Sequence, residues 1–356
     1  MRLRVLDFGT VSALRSQAVF HGLAFAMSEA DDPILCLSSP ATPYVCVGMH
    51  QEIAKEVDEA FCKARDLPIY RRRIGGGAVY LDKNQLFTHF IYPHAKAPQL
   101  AANLYPMFIE PVVRTYKELG IEAVYRPVND IQVNGRKIGG TGAASIGEAT
   151  VMAGSFMFDF DTETMAQCLK VPSEKFRDKL RAGLNDYMTT IVKELDDVPD
   201  RSVVKAAFLR HCAEVLSVTP EEERPTDAEI HAIDGQEAAI SDPEWTYQQG
   251  RKFVAMGVKL SADTHMTEAA HKAPGGLIRV HLLEREKKIA DLMLTGDFTC
   301  LPPEGIDELA KSAVGSALSA EVLEARFGEE VARRKIDLPG VSPADLATAV
   351  LAAVHQ

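Results

Sequence analysis

The fold is decided by the stretch Asn129-Asp130-Ile131-Gln132-Val133-Asn134-Gly135-Arg136-Lys137-Ile138-Gly139-Gly140. Its Asn134-Gly135 pair is a strong signal for a two-residue type I′ turn, because both central residues of that turn take a positive φ. The stretch is therefore predicted to be a β-hairpin, and the turn fixes which residues face each other. The predicted pairs are Val133 with Arg136, Gln132 with Lys137, and Ile131 with Ile138.

Lys137 is predicted to lie on the polar face of this hairpin, together with Asp130 and Gln132. The Asp130 carboxylate is one diagonal step away, roughly 7–8 Å between backbone positions. A lysine so placed can bring a mobile positive charge to a carboxylate, an acyl phosphate or an α-phosphate. An exposed strand lysine is the simpler alternative. The small residues Gly139-Gly140-Thr141-Gly142 favour a ligand, because they leave room beside the ammonium group.

A second informative stretch is Arg71-Arg72-Arg73-Ile74-Gly75-Gly76-Gly77-Ala78-Val79-Tyr80. Three consecutive glycines remove every Cβ, so that backbone N–H groups can come close to an anion or an extended ligand. The arginines add positive charge beside this loop. The combination favours a ligand that carries a phosphate or a carboxylate.

Hydrophobic periodicity predicts helices and strands around these two stretches. Helices are predicted over 12–30, with Ser12 as the N-cap and Phe25 in a buried stripe, and over 56–65, 98–119 and 202–216. Strands are predicted over 34–37 and 44–48 as one hairpin, over 78–81 and 86–92 as another pair, and over 69–74, 122–126 and 151–160. This pattern is typical of an α+β fold with mostly antiparallel sheets and flanking helices.

The polar segment Asp242-Pro243-Glu244-Trp245 marks the predicted domain boundary. Residues 1–244 are predicted to form the larger domain, and residues 245–356 a smaller α+β domain. In the smaller domain, strands are expected over 252–260, 277–283 and 288–294, and helices over 306–318, 320–334 and 342–354. Its histidines, His265, His271 and His281, show no partner pattern and are interpreted as surface or loop residues.

Composition narrows the class of protein. The 356 residues carry a net charge of −11 without a long basic stretch, which argues against nucleic acid as the main partner. Six cysteines without a C-x-x-C pair indicate neither a disulfide framework nor structural zinc. The N-terminus has no apolar segment before Asp7, and no stretch is long enough to span a bilayer. A cytoplasmic protein without a membrane partner is therefore expected.

The chain resembles the lipoate-protein ligase family. The likeness rests on the order and spacing of Gly48-Met49-His50-Gln51, the 71–80 stretch followed by Asp82 and Asn84, Asn129-Asp130, and Gly135 to Gly140. It spans most of residues 1–195 and, more weakly, the C-terminal segments 275–281 and 296–298. The resemblance implies a biotin/lipoate-ligase-like catalytic domain followed by the accessory domain of the longer ligases.

The resemblance also implies chemistry in two steps. Lipoate and ATP form lipoyl-adenylate and pyrophosphate, and a lysine of a carrier protein then takes the acyl group. The acyl-binding loop would comprise Arg72, Gly75, Gly76, Gly77, Ala78, Val79 and Tyr80. Nucleotide binding would involve Asn129, Asp130, Lys137 and Gly140, with Lys137 as the catalytic cation. Mg²⁺ is the expected companion of ATP with Asp130 as its nearest carboxylate, although a salt bridge is the simpler interpretation of Asp130.

The chain departs from the family pattern at three positions. Many members carry a polar residue where this chain has Ile74, Ala144 and Ala153. Arginines that could compensate are Arg71, Arg73 and Arg126. The alternative is a divergent branch with an altered acyl donor or acceptor.

We therefore expect an ATP-dependent ligase that attaches lipoate or octanoate to a lysine of a lipoyl carrier. Carriers of this kind are the glycine-cleavage H protein, H-like carriers and dehydrogenase acyltransferase domains. An ATP-independent transferase of the same fold is an alternative that would need a reactive cysteine, yet no cysteine lies within 126–156, and Cys36 and Cys46 are predicted core residues. A non-catalytic module that binds a lipoylated carrier is a further alternative. Biotin ligases share the fold but show a Gly-Arg-Gly-Arg loop that this chain lacks.

Overall fold

The computed structural model describes residues 1–248, 259–261 and 264–354. The chain divides into two compact units. The larger unit holds Met1–Cys46, Glu56–Arg72 and Ala78–Thr246. The smaller unit holds Val47–Lys55, Arg73–Gly77 and the described residues from Tyr247 onward. The three glycines at 75–77 and the segment Val47–Lys55 thus belong to the same unit as the C-terminal part of the chain. The domain boundary after residue 244 stays a prediction.

Strands form four sheets in the described residues. In chain order they are β1 (Arg2–Val11), β2 (Ile34–Pro40), β3 (Tyr44–Val47), β4 (Ile69–Arg71), β5 (Val79–Leu81), β6 (Gln85–Pro93), β7 (Val124–Arg126), β8 (Asp130–Val133), β9 (Arg136–Gly140), β10 (Gly142–Ile146), β11 (Ala149–Met157), β12 (Thr219–Glu222), β13 (Lys259–Ser261), β14 (Thr264–Ala273), β15 (Gly276–Arg285) and β16 (Lys288–Gly296). A six-stranded sheet has the order β10-β11-β6-β2-β1-β12. The other sheets are β13-β14-β15-β16, β4-β3-β5 and β7-β8-β9.

Helices flank these sheets. In chain order they are α1 (Ala13–Ala26), α2 (Ile53–Glu56), α3 (Glu59–Ala64), α4 (Ala101–Glu118), α5 (Thr162–Cys168), α6 (Glu174–Tyr187), α7 (Ile191–Glu194), α8 (Arg201–Leu216), α9 (Asp227–Ser241), α10 (Pro243–Thr246), α11 (Gly305–Ala313), α12 (Ala320–Arg334) and α13 (Pro343–Val354), with a 3₁₀ turn at His94–Lys96. Strand β1 runs parallel to β2 and β12, whereas β6 is antiparallel to both of its neighbours. The α+β class with mostly antiparallel pairing was predicted correctly.

The N-cap of α1 is confirmed, because the Ser12 side chain accepts a hydrogen bond from the Arg15 backbone N–H. The predicted burial of Phe25 was wrong, since this side chain is 42% exposed. Helix α1 is buried on nearly all sides between Ser16 and Ala24, so its apolar spacing does not define a single buried stripe. A Cβ on Gly22 would overlap the backbone of Ile233, which shows how closely α9 approaches α1.

Two predicted strand pairings were also wrong. Strand β2 does not form a hairpin with β3; it lies between β1 and β6 in the large sheet, and β3 pairs with β5 in a small one. Strand β5 likewise does not pair with β6. Every residue of β2 and β6 is buried, which is typical of central strands covered on both faces. The short connections suggested local hairpins, but β2 and β6 instead pair with each other inside the large sheet, where both of their faces are buried.

The predicted helix over 56–65 is divided between α2 and α3, whereas the helix over 202–216 and the strand over 151–160 are confirmed as α8 and β11. In the smaller unit the strands over 277–283 and 288–294 are confirmed as β15 and β16, and the three C-terminal helices as α11, α12 and α13. Most of the strand predicted over 252–260 lies outside the described residues. No described helix has the length and apolar character needed to cross a bilayer.

The two faces of the six-stranded sheet carry different side chains, because alternate residues of a strand point to opposite faces. On one face Phe90 and Phe156 pack against Phe108 of α4 and Phe208 of α8, with ring centroids 4.8–5.9 Å apart. On the other face His89 stacks on Phe20 of α1 at 4.3 Å. The face toward α4 and α8 is thus an aromatic core.

Candidate active site

The hairpin around Lys137 contains the predicted turn. Asn134 and Gly135 have φ values of 50° and 80°, as a type I′ turn requires. The pairs Val133 with Arg136 and Gln132 with Lys137 are confirmed, but Ile131 faces Gly139 instead of Ile138. A β-bulge at Ile138 inserts the extra residue, and Gly140 consequently lies opposite Asp130.

This bulge determines where the Lys137 side chain lies. A Cβ on Gly140 would be 3.0 Å from both Cε and Nζ of Lys137, so the lysine passes over the space left by the missing side chain. Its ammonium group then reaches Asp130, with Nζ 2.7 Å from Oδ1. The Lys137 side chain is only 27% exposed. The lysine is therefore held in place by a charge-assisted contact across a glycine, rather than extended into water.

The second carboxylate oxygen of Asp130 accepts a hydrogen bond from Tyr187. The Tyr187 hydroxyl donates to Oδ2 at 2.7 Å, and Gln132 donates to the same hydroxyl at 3.3 Å. Burial, followed by the hydrogen bond to Asp130, raises the pKa of Tyr187 to about 12, so the phenol stays protonated and keeps donating at neutral pH. The backbone of Lys137 is fixed as well, because its carbonyl accepts from Thr189 N–H at 2.9 Å. Asp130 thus orients Lys137 while Tyr187 orients Asp130.

Asn129 fixes the end of the hairpin. Its side-chain amide donates to the Thr141 carbonyl at 2.8 Å, and its own carbonyl accepts from the Thr141 N–H and hydroxyl, each at 2.9 Å. These contacts hold the chain just after Gly140 against the chain just before Asp130. Asn129, Asp130, Lys137 and Gly140, predicted from the sequence to act together, therefore lie together in the larger unit.

Four other predicted residues lie in the larger unit: Val79 and Tyr80 on β5, Ala78 just before β5, and Arg72 just after β4. Arg72 donates from Nη1 to the Cys46 carbonyl at 3.1 Å. Ala78 and Tyr80 are buried, and Val79 pairs with Cys46 across the β3–β5 ladder. Burial raises the pKa of the Tyr80 hydroxyl, and the nearby Asp82 and Asp161 raise it further. Tyr80 is therefore a neutral, buried phenol on β5.

The glycine loop itself belongs to the smaller unit. Its backbone bonds to two other segments of that unit: Gly76 N–H donates to Phe298 O at 3.3 Å, and Met49 N–H donates to Ile74 O at 3.0 Å. Gly48 lies so close that a Cβ there would overlap the Gly76 carbonyl. The Gln51 side chain accepts from Gly48 N–H at 3.0 Å and closes the turn before α2. The Gly-x-x-Gln step noted in the sequence is thus part of the support of the loop.

The three glycines of the loop differ in what they require. A Cβ on Gly75 would overlap the carbonyl oxygen of Phe298, so this position needs glycine for packing. Gly76 has a φ of 88°, a left-handed conformation that favours glycine. A Cβ on Gly77 would have its nearest neighbour at 3.9 Å, an ordinary contact distance. Within the smaller unit, packing and backbone conformation explain Gly75 and Gly76 but not Gly77.

The smaller unit also contains a buried carboxylate, that of Glu52, directly before α2. Glu52 Oε1 accepts from His281 Nε2 and from the Thr295 hydroxyl, each at 2.6 Å. Burial alone would raise the pKa of Glu52, but these two hydrogen bonds outweigh it and lower the pKa below the ordinary value. The interpretation of His281 as a surface or loop residue was therefore wrong. It is a strand residue that is 2% exposed, because its imidazole pairs with Glu52.

Sequence reasoning did not identify Tyr187, Glu52 or Thr295. Tyr187 ends an exposed amphipathic helix, and Glu52 stands in a short segment without periodicity. No local sequence pattern signals the contact of Tyr187 with Asp130 or that of Glu52 with His281, because these partners lie 57 and 229 residues apart in the chain.

Comparison with known proteins identifies the family. A family model described as the lipoyl protein ligase A/B catalytic domain matches residues 15–213. The chain belongs to the lipoyl protein ligase A/B family. The resemblance inferred from the sequence motifs is thus confirmed.

The chain is similar in sequence to relatives that carry the names of two different activities. Lipoate-protein ligase LplJ of Bacillus subtilis (strain 168) is 28% identical over 260 residues, which cover 72% of this chain and 73% of LplJ. Octanoyltransferase LipM of Kyrpidia tusciae is 26% identical over 273 residues, which cover 69% of this chain and 98% of LipM. Membership of the family therefore indicates an enzyme of lipoyl or octanoyl transfer.

Solved structures confirm the lipoate-ligase fold. The bipartite lipoate protein ligase of Thermoplasma acidophilum, studied with its E2 lipoyl domain, has a TM-score of 0.65 at 25% identity and covers 72% of this chain and all of its own. A lipoate-protein ligase A bound with ATP has a TM-score of 0.60 at 23% identity, covering 69% and 99%. Plasmodium falciparum LipL1 in complex with lipoate has a TM-score of 0.70 at 16% identity, covering 98% and 99%.

Two of the three departures of this lipoyl protein ligase A/B family member, Ala144 and Ala153, lie on the same face of the large sheet. The register pairs Ala144 with Val151, and Ala153 faces both Gly142 and His89. Arg71 does not replace the missing polar groups, because its buried guanidinium donates to Thr246 O at 2.9 Å. Burial lowers the pKa of Arg71 to about 10, so the side chain stays charged at neutral pH in a structural role.

Proposed function

We propose that the protein is an ATP-dependent ligase that activates lipoate, or octanoate, as an acyl-adenylate and transfers the acyl group to a lysine of a lipoyl carrier. The observation that carries the proposal is the placement of Lys137 over Gly140, oriented by Asp130 and Tyr187. A family relative named lipoate-protein ligase and a similar fold bound with ATP support the ligase reaction.

In the first step, a carboxylate oxygen of the acid attacks the α-phosphorus of ATP, and the bond to the β-phosphate oxygen breaks to release pyrophosphate. Negative charge builds on the α-phosphate oxygens, and a fixed cation stabilises it. Lys137 supplies that cation, and the proposed acyl-binding residues Arg72, Gly75, Gly76, Gly77, Ala78, Val79 and Tyr80 would hold the acid. Asn129, Asp130 and Gly140 would complete the nucleotide side.

In the second step, the ε-amine of the carrier lysine attacks the acyl carbonyl of the adenylate. The new amide bond forms as AMP leaves with the electron pair of the acyl–oxygen bond, and the nitrogen loses a proton. Lys137 would stabilise the charge on the carbonyl oxygen as the amine adds. A structure similar to this chain comes from a ligase studied with its E2 lipoyl domain, which supports a carrier of the lipoyl type. H proteins and H-like carriers belong to the same proposal.

Asp130 is proposed as a ligand for Mg²⁺ bound to the ATP phosphates, but its two oxygens already contact Lys137 and Tyr187. Binding a cation there would require one of these contacts to be exchanged. The donor set therefore fits an orienting partner for Lys137 at least as well as a metal ligand. The C-terminal residues are proposed to form the accessory domain, and the cytoplasm is the proposed location.

An ATP-independent octanoyltransferase is a second candidate, favoured by the similarity to LipM. Such an enzyme needs a reactive thiolate. All six cysteines of the chain are buried, and burial raises the pKa of Cys36, Cys46, Cys212 and Cys300. The hydrogen bond between Cys62 and Cys168 lowers the pKa of Cys62 and raises that of Cys168, but both thiols are at most 1% exposed and so are closed to a substrate. These environments favour the ligase over a cysteine-dependent transferase.

The test is to incubate the protein with lipoate, Mg-ATP and purified carriers, and to measure pyrophosphate release and carrier mass. A ligase should release pyrophosphate and add one lipoyl group to a carrier. Lys137→Ala should slow adenylation about 10²- to 10³-fold, whereas Lys117→Ala, on the exposed side of α4, should not. Carrier labelling from an octanoyl-carrier donor without nucleotide would instead establish the transferase. Carrier binding without turnover under either condition would leave only the binding module.

A further inference from the structure

The carboxylate of Glu194, at the end of the short helix α7, joins two segments of the larger unit. Its Oε1 accepts a hydrogen bond from the Thr189 hydroxyl and another from Arg136 Nη2, the latter at 2.7 Å. The Glu194 side chain is only 13% exposed. Charge-assisted hydrogen bonds are stronger than neutral ones, and a partly buried pair is screened less than an exposed one, so Glu194 can hold both segments in place.

Both partners of Glu194 are direct neighbours of the Lys137 backbone. Arg136 precedes Lys137 on β9. On the other side, the Thr189 N–H donates to the Lys137 carbonyl at 2.9 Å, and Met188 forms a parallel bridge with Lys137. The Thr189 side chain is buried. The strand that carries the lysine and the segment that pairs with its backbone are therefore tied together by one carboxylate.

Local structure explains how Glu194 reaches these partners. Thr190 is the N-cap of α7, and the helix makes a single turn in which the Glu194 N–H donates to the Thr190 carbonyl at 3.1 Å. The Val192 N–H also donates to the carbonyl of Phe158, just after β11, at 3.0 Å. The turn thus brings the Glu194 side chain back to Thr189 and is itself attached to the chain at the end of β11.

Glu194 and Asp130 act from opposite faces of the hairpin. Arg136 and Lys137 are consecutive residues of β9, so their side chains point to opposite faces. Asp130 contacts the Lys137 ammonium on one face, with Nζ 2.7 Å from Oδ1, while Glu194 binds the Arg136 side chain on the other. Asp130 therefore fixes the tip of the lysine, and Glu194 fixes the backbone from which it extends. A functional side chain keeps a precise position only when its support is fixed as well.

We propose that Glu194 is a positioning residue for Lys137, which it keeps in place through Arg136 and Thr189 rather than through contact with a substrate. This inference rests on the proposed function and goes beyond it, because the two proposed steps assign no role to Glu194. A displacement of about 1 Å in a site can slow a reaction about 10²-fold. Because Lys137 stabilises charge that develops in the transition state, its displacement should lower kcat more than it raises KM.

The experiment measures adenylation by pyrophosphate release in variants of the full chain. Glu194→Gln keeps the size of the side chain and removes its charge, so it should lower kcat about tenfold and change KM for lipoate and ATP less than about twofold. Thr189→Val, which lacks the hydroxyl, should lower kcat about threefold, whereas Thr189→Ser should keep most of the wild-type rate. Glu110→Gln is the matched control and should keep the wild-type rate, because the pair of Glu110 with Arg114 is similar in length, at 2.8 Å, but exposed.

A double variant separates positioning from a general structural role. If Glu194 acts through Lys137, its replacement has nothing to displace once the ammonium group is gone. Lys137→Ala alone and Lys137→Ala combined with Glu194→Gln should therefore release pyrophosphate at equal rates, measured in single turnovers. A difference of about tenfold between them would overturn the inference, and so would a wild-type rate in Glu194→Gln. Should Glu194→Gln fail to fold, Thr189→Val, a smaller change, supplies the same comparison.

Hydrogen exchange separates this inference from the proposed function. The Thr189 N–H should exchange about tenfold faster in Glu194→Gln than in the wild type, because the segment opens locally. Mass spectrometry of the peptide around Thr189 measures this rate, with the amides of α8 as the reference. If neither lipoate nor octanoate yields pyrophosphate, the ligase proposal fails, while faster exchange at Thr189 alone still supports the positioning of the Lys137 backbone. Unchanged exchange at Thr189, or exchange that is equally faster in α8, would overturn the inference.

Discussion

The lysine hairpin and the glycine loop are both rich in glycine, but they are supported in different ways. The hairpin is held by its own turn, by Asn129 and by Tyr187, which lies 57 residues from Asp130. The loop is held by Phe298 and, through the segment before α2, by the pair of Glu52 with His281, which lie 229 residues apart. Local sequence therefore determines most of the hairpin, and distant sequence determines the loop.

Glycine also has a different use in each region. In the hairpin, Gly140 makes room for a side chain of the same strand, the catalytic candidate Lys137. In the loop, Gly75 makes room for the backbone of a distant segment at Phe298. The Lys137 side chain is flexible and can move aside at little cost. The backbone carbonyl of Phe298, just after β16, cannot move without displacing the chain around it. The two regions should therefore differ in how strongly they respond to the same small substitution.

The largest effect is expected in the loop. Gly75→Ala places a methyl group against the Phe298 carbonyl and should lower the free energy of unfolding by about 3 kcal/mol. Gly77→Ala has ordinary contact distances and should lower it by less than about 0.5 kcal/mol, while raising KM if a ligand approaches the loop there. Urea unfolding followed by circular dichroism gives the first quantity, and pyrophosphate release gives the second. Equal stability of the two variants would refute the packing explanation of Gly75.

The same contrast explains how much of the molecule the sequence predicted. The type I′ turn, α8, α12 and the strands β15 and β16 follow from local patterns and were predicted correctly. The pairing of β2 with β6 was not, because two fully buried strands carry no alternation that identifies their partners. In such strands, the choice of neighbour depends on tertiary packing.

At the candidate site, residue identities were easier to predict than contacts. The motifs identified Lys137, Asp130 and Gly140, but the regular ladder placed the lysine and the carboxylate roughly 7–8 Å apart between backbone positions. The bulge at Ile138 changed the register and allowed a 2.7 Å contact between the side chains. Gly139 and Gly140 are residues of the kind that often accompany a bulge, but they do not determine its register. The support of the loop by His281 was likewise unpredictable, since its partner is distant.

An intermediate effect is expected from the buried carboxylate. Glu52→Gln removes the charge that His281 and Thr295 stabilise, and it should lower the free energy of unfolding by about 2 kcal/mol at pH 7. The folded-state pKa of Glu52 lies below the unfolded value of about 4.3. The ionised carboxylate therefore contributes its stability above that value, and the contribution is lost as the pH falls through the folded pKa.

Urea titrations of wild type and Glu52→Gln between pH 7 and pH 3 check this sign. The difference between the two proteins should be constant from pH 7 to about pH 5 and should shrink below about pH 4. Glu284→Gln, a partly exposed glutamate on the same strand as His281, serves as the control and should show little difference at any pH. A difference that grows as the solution becomes more acidic would contradict the lowered pKa of Glu52.

The smallest effect on stability, and the sharpest test of the hairpin, is expected at Gly140. Gly140→Ala places a methyl group 3.0 Å from the Lys137 ammonium, and the lysine can move aside, so the free energy of unfolding should fall by less than about 1 kcal/mol. The displaced ammonium no longer lies against Asp130, and adenylation should slow about tenfold. Gly139→Ala, whose Cβ would have ordinary contacts at 3.5 Å, is the matched control and should keep its rate. If Gly140→Ala retains full activity, the bulge does not position the lysine for chemistry, and the difference between the two regions reduces to packing alone.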